Sequence, residues 1–176
     1  FDTAGAPMLS IFGGKITTFR KLAEEAVDLI APTLSNRHGR WTEHRCLPGG
    51  DLFGDQPVNR AVLEYDRFVH DMQTQYAWLA PKLIARYARA YGTRIHALLA
   101  DRTGSAEMGE EIAPGLYAAE VEYWMQHEWA TNATDMLWRR SKLGLHLPQD
   151  TQQKLEAWIA EHSLNHARSM PHAHAT

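Results

Sequence analysis

The sequence predicts a mainly α protein, a C-terminal helical bundle preceded by one strand, one turn and one helix. Three observations predict it. Apolar residues recur at helical spacing from about residue 50 to 168, and no period-2 alternation stands out in that stretch. Turn-forming residues concentrate between 33 and 57, which separates a short front segment from the rest. The front segment changes from a five-residue apolar run to an amphipathic pattern across Gly13-Gly14.

In order, "MLSIF" (8–12) suits a short buried strand ended by the two glycines. Thr17 or Thr18 is placed to cap the following helix, whose apolar positions Phe19, Leu22, Ala23, Ala26, Leu29 and Ile30 share one face until Pro32 ends it. After the linker, Val58, Val62, Tyr65, Val69, Met72, Tyr76 and Leu79 form one stripe along a long helix. Pro81 starts a second helix with Leu83, Ile84, Tyr87 and Tyr91 inward, and Gly92 stops it. Thr93 opens a short third. "DRTGSAEMGEEIAPG" reads as a polar loop before a fourth helix around "LYAAEVEYWMQHEWA". Asn132 or Thr134 starts a fifth that Gly144 closes, and Asp150 or Thr151 opens the last, carrying Leu155, Trp158 and Ile159. The domain reading is therefore 1–46, 47–168 as an all-α unit, and a frayed tail over 169–176.

The 176 residues are 44% hydrophobic and 22% charged, an ordinary globular composition, and no apolar run reaches the roughly 20 residues of a membrane-spanning helix. A net charge of −3 offers no electrostatic footprint for nucleic acid. The one cysteine, Cys46, excludes an internal disulfide. The chain opens on Phe1 and reads as the back part of something longer.

The turn "GGKITT" carries the strongest chemical signal. A phosphate-binding P-loop fails, since Leu9 and Ile16 stand where its glycine and Ser/Thr belong, and no GxGxxG occurs. One reading is a plain strand-to-helix turn with a solvated lysine. The other is a helix N-terminus offered to an anion or a polar ring.

"SIFGGKITTFRKLAE" (10–24) closely resembles the C-terminal flavin-contacting segment of FAD-dependent glycerol-3-phosphate dehydrogenases. "LPGGD" (47–51) and "GLYAAEVEYWMQHEWATNATDMLWRRSKLGLHL" (115–147) resemble the linker and helical signature of the same family, nearest its bacterial respiratory members. Phe19 stands where tyrosine is common in that family. The resemblance implies that residues 1–46 are the end of an FAD-binding domain whose N-terminal part is missing, and that 47–168 are a helical cap. It implies FAD as cofactor, glycerol 3-phosphate as substrate, quinone as electron acceptor, and a peripheral place at the inner face of the cytoplasmic membrane, with membrane contact mainly in the missing portion. Gly13, Gly14, Lys15, Ile16 and Thr17 are then the cofactor-binding residues, and Lys15 the catalytic one. The chain alone is expected to be colourless and inactive.

The helical part adds weaker candidates. Glu120, Glu128, Asp135, Arg139 and Arg140 are expected to form a partly buried ion-pair network, with Asp135 and Arg139 paired at i, i+4. His162 and His166 share a face without a third ligand, so no metal site is expected. The six tryptophans are expected to anchor helix contacts. A second function class stays open: a non-catalytic helical module for a homodimer or another protein.

Overall fold

The structure is a computed structural model that describes residues 8–169, with side chains as far as 162. It divides into two compact units, Phe1–Leu63 and Glu64–Thr176.

The first unit contains α1 (Phe19–Ile30), entered through a 3-10 turn at Ile16–Thr18, and the short α2 (Arg60–Leu63). Met8–Phe12 form no strand, a correction to the sequence reading. A strand exists by exchanging N–H and C=O bonds with a neighbour, and no described residue supplies that ladder, so Ile11 and Phe12 stay exposed. The expected cap is also absent: neither threonine caps α1, and Thr18 Oγ1 instead donates to the Lys15 carbonyl at 3.1 Å. α1 leaves its apolar stripe half-buried at best. Its one buried side chain is Glu24, while Phe19, Val27 and Leu29 are about half exposed. Glu24 accepts from Thr42 Oγ1 at 2.5 Å and from Arg20 at 3.2 Å, and Arg40 donates to Asp28 at 2.8 Å. These bonds hold the 36–45 segment against the polar face of α1.

The second unit is the helical bundle. It runs α3 (Tyr65–Gln75), α4 (Pro81–Tyr91), α5 (Ile95–Leu98), a hairpin of β1 (Glu111–Ala113) and β2 (Leu116–Tyr117), α6 (Ala118–His127), a π-helix at Asp135–Arg140, and α7 (Thr151–Ser169). The stripe predicted over 58–79 breaks at Glu64, because Val58 and Val62 stay exposed and give no burial to sustain helix there. From α3 onward Met72, Tyr76 and Leu79 of the stripe are buried, while Tyr65 and Val69 are half-buried and Phe68, outside the predicted stripe, takes the buried place on the first turn. α4 starts on Pro81, turns Ile84, Tyr87 and Tyr91 inward and ends on Gly92 at φ +53°.

The hairpin corrects the all-α reading: β1 lies in the expected polar loop, and β2 takes the first two residues of the segment expected to be the fourth helix, which starts only at Ala118. The hairpin pairs Glu111 with Tyr117 and Ala113 with Leu116 across a Pro114-Gly115 turn, with Gly115 at φ +73°. Ile112, Ala113 and Leu116 bury against the helices, and α7 packs on β1. Asn132 Oδ1 accepts from Asp135 N at 2.9 Å, the predicted cap, but six residues wind as π-helix and Lys142, at φ +62°, ends the element. Gly144 has another role: a Cβ there would lie 2.6 Å from the Trp138 ring. Among the tryptophans, Trp124 and Trp158 are buried as expected, whereas Trp41, Trp129 and Trp138 are exposed. The expected tail lies outside the described residues except for Ser169, the last residue of α7.

Candidate functional site

Gly13, Gly14, Lys15, Ile16 and Thr17 are consecutive exposed residues ahead of α1. Gly13 and Gly14 take φ of +83° and +115°, a backbone that side-chain-bearing residues rarely adopt. A Cβ on Gly14 would also lie 2.9 Å from Leu22 Cδ2. Lys15 then returns to extended backbone, and its carbonyl takes both the Thr18 N–H (3.0 Å) and the Thr18 hydroxyl. With the hydroxyl turned that way, the first N–H groups of the helix carry no side-chain cap. The result is a bare backbone surface, a partially positive helix end and a full cation within three residues, a donor set suited to a delocalised anion or the polar edge of an aromatic ring.

Beside this turn, a groove of about 680 Å³ opens between Phe19 and Ala23 of α1 and the Trp41, Leu47, Pro57 and Val58 side chains, still within the first unit. The Glu24 carboxyl is held below the usual range by the Thr42 hydrogen bond above all. Burial opposes this, and the Arg20 and Arg40 charges add to it. The buried Glu24 leaves no trace in hydrophobic periodicity; its one sequence signal is the i, i+4 spacing from Arg20.

The expected network in the helical unit separates into parts. Glu120 is fully buried, but its partners are Arg86, through two bonds of 2.6 and 2.7 Å, and the Tyr91 hydroxyl at 2.5 Å. Arg86 also donates to the Gly115 carbonyl at 2.7 Å, so one guanidinium joins α4, α6 and the hairpin turn. Burial works against its charge, yet the Glu120 bonds and charge hold it above its ordinary range. Burial, then the Glu120 charge, pushes the Tyr91 hydroxyl far up, so it stays a donor. Neither Arg86 nor Tyr91 was singled out in the sequence as a partner; both lie on the buried edge of α4, which places them beside Glu120 only once the fold is known. Asp135 pairs with Arg139 at 2.5 Å as predicted and also accepts from Thr131 N and Asn132 Nδ2. Glu128 and Arg140 are not in ion pairs among the described residues. His162 stacks on Trp158, ring centroids 3.8 Å apart, and no metal-binding cluster occurs among the described residues.

A mainly helical unit pinned by the Arg86–Glu120 ion pair, preceded by a smaller unit with a glycine-bent turn ahead of α1, defines a mainly α protein. The chain belongs to the family described as the C-terminal domain of alpha-glycerophosphate oxidase, whose model matches residues 40–164. It is 43% identical over 157 residues to the glycerol-3-phosphate dehydrogenase of Pseudomonas aeruginosa, covering 89% of this chain and 29% of that protein. It is 37% identical over 162 residues to the aerobic glycerol-3-phosphate dehydrogenase of Escherichia coli, covering 92% and 30%. It is 34% identical over 158 residues to the D-erythritol 1-phosphate dehydrogenase of Brucella abortus, covering 90% and 30%. The chain thus spans about 30% of the length of these relatives. No helix among the described residues is long and apolar enough to cross a membrane.

Proposed function

We propose that this chain is the C-terminal part of a flavoenzyme that oxidises sn-glycerol 3-phosphate to dihydroxyacetone phosphate and passes the electrons through FAD to quinone, at the inner face of the cytoplasmic membrane. In this reading residues 1–46 end the FAD-binding domain, 47–168 form its helical cap, and the chain alone neither holds flavin nor turns over. The observation that carries the reading is the Gly13-Gly14-Lys15 turn, left-handed at both glycines, opening a helix whose apolar stripe is uncovered. The two relatives named as glycerol-3-phosphate dehydrogenases support glycerol 3-phosphate as the substrate.

The residues fit the cofactor. Gly13 and Gly14 let the backbone come close to a flat ring, and Ile16 and Thr17 offer N–H groups from the uncapped helix end. FAD, when bound, supplies the acceptor for the hydride leaving C2 of the substrate. Lys15 would hold the flavin edge and supply a cation to stabilise negative charge there, and the helix end would add partial positive charge. The uncovered α1 stripe buries against the sheet of the missing part, which also gives residues 8–12 the strand partner they lack.

Lys15→Met in the full-length protein tests this. Removing one preorganised charge-stabilising group typically costs about 3 kcal/mol, roughly a hundredfold in rate. Anaerobic rapid mixing with glycerol 3-phosphate should show flavin reduction slowed by that order, with the flavin still bound, and Lys15→Arg intermediate. A wild-type reduction rate in Lys15→Met would leave the lysine a solvated neighbour. The Brucella relative supports a narrower variant of the same reading, a longer polyol phosphate as substrate. Faster flavin reduction by D-erythritol 1-phosphate than by glycerol 3-phosphate would select it.

A further inference from the structure

Among the described residues of the helical unit, three large apolar side chains are exposed: Trp129, Trp138 and Leu145. Trp138 has a local seat, its ring lying over Gly144. Trp129 has none. It is 83% exposed, and its φ is +53°. The loop needs a left-handed residue here, since Glu128 N and Ala130 N both return to the Trp124 carbonyl at 3.1 Å. Glycine or asparagine takes that conformation with little strain, and a polar side chain suits that exposure. Tryptophan satisfies neither requirement of this unit by itself.

Its polar neighbours are also incomplete. Glu128 is half-buried, and burial raises its carboxyl, with Arg140 and Arg94 the main opposing charges. Yet its carboxylate accepts no hydrogen bond among the described residues. Arg140 is exposed and has no carboxylate within ion-pair distance among them. A large exposed aromatic next to a half-buried carboxylate that accepts no hydrogen bond is the form an interface anchor has before its partner is present.

We propose that Trp129 is a docking anchor that seats the helical unit on the part of the full-length polypeptide outside residues 1–176; this rests on the reading of the chain as part of a longer enzyme. Size decides between occupants. A buried tryptophan contributes roughly 150–250 Å², while a stable complex between separate molecules needs about 800 Å² on each partner. A single anchor is sufficient where the partner is tethered, because the link sets a high effective concentration. The relatives have such a tethered partner available, since this chain spans only 29–30% of their length.

The test compares Trp129→Gly and Trp129→Asn in two settings, the 176-residue chain and the full-length protein. In the chain, relief of the left-handed strain should raise Tm by about 2–4 °C. In the full-length protein the same substitutions should lower the melting of the helical unit, and hydroxyl-radical footprinting should find Trp129 protected in the unsubstituted protein. A rise in both settings, a fall in both, or a Trp129 as reactive in the full-length protein as in the chain overturns the proposal. So does a Trp129-dependent dimer of the chain in sedimentation, which would make a second copy the occupant. Flavin content and substrate-dependent bleaching of the full-length protein report the enzymatic reading separately, so either can fail without the other.

Discussion

Arg86→Leu should be among the most damaging single changes to the helical unit. Two opposite charges about 4 Å apart attract by roughly 4 kcal/mol at an effective dielectric constant of 20, and burial of both charges offsets much of that. Deleting the arginine removes the attraction and leaves the burial cost of Glu120, which has no exposure at all. The Tyr91 hydroxyl at 2.5 Å still donates to it, which softens the loss toward the lower end of the usual 3–5 kcal/mol. The Gly115 carbonyl loses its partner too, so the hairpin turn loosens with the helices. Glu120→Leu should cost less, because the Arg86 side chain keeps 28% exposure and can turn its charge toward water. Arg86→Leu with Glu120→Leu should recover most of the loss, since an apolar pair of similar volume removes both burial costs. Urea unfolding of the 176-residue chain, followed by far-UV circular dichroism, reads all three. A loss under about 1 kcal/mol for Arg86→Leu would refute the reasoning, as would a larger loss for Glu120→Leu than for Arg86→Leu.

Gly144→Ala should push the Trp138 ring aside and cost about 1–3 kcal/mol, with a red shift in tryptophan emission as the check. Stability should fall in acid through carboxylates whose pKa is lowered in the fold. Glu107, bonded by the Thr103 and Gly104 backbone N–H groups, and Asp135, bonded by Thr131 N and Arg139, contribute above the ordinary carboxylate range near pH 4 and lose that contribution as pH falls through their lowered values. Glu107→Gln should flatten the pH dependence of the urea midpoint below about pH 4.5 and leave Arg86→Leu's effect unchanged.

The helical elements from Tyr65 onward were legible because their signals are local. Proline at a helix start, glycine at its stop, asparagine at a cap and apolar residues at helical spacing act within a few residues, and Pro81, Gly92, Asn132 and the buried Met72, Tyr76 and Leu79 behave accordingly. What escaped depends on neighbours that the chain brings from afar, or lacks. The 111–117 hairpin had a Pro-Gly signal between two short apolar pairs, but it exists by packing under α7, a relation no window reveals. Glu120 was expected to pair with charges on its own and the next helix, whereas its partner on α4 lies 34 positions away. The opening strand failed for the opposite reason: its pattern is that of a buried strand, and burial needs atoms that the described residues do not provide. The same holds for α1, whose apolar positions share one face but are buried nowhere along it, with Phe19, Ala23 and Leu29 exposed and Leu22, Ala26 and Ile30 half-buried. The glycine turn was legible as a turn, and the two positive φ angles agree with the residues that form it. Its ligand is a matter for experiment.

That experiment is an anaerobic titration of the purified full-length protein with sn-glycerol 3-phosphate, watching the flavin band, alongside the 176-residue chain under the same conditions. The account predicts one bound FAD per full-length polypeptide, bleached by substrate and recoloured by a water-soluble quinone, with the short chain colourless throughout. A full-length protein that binds no flavin, or one whose bound flavin the substrate leaves oxidised, would contradict it.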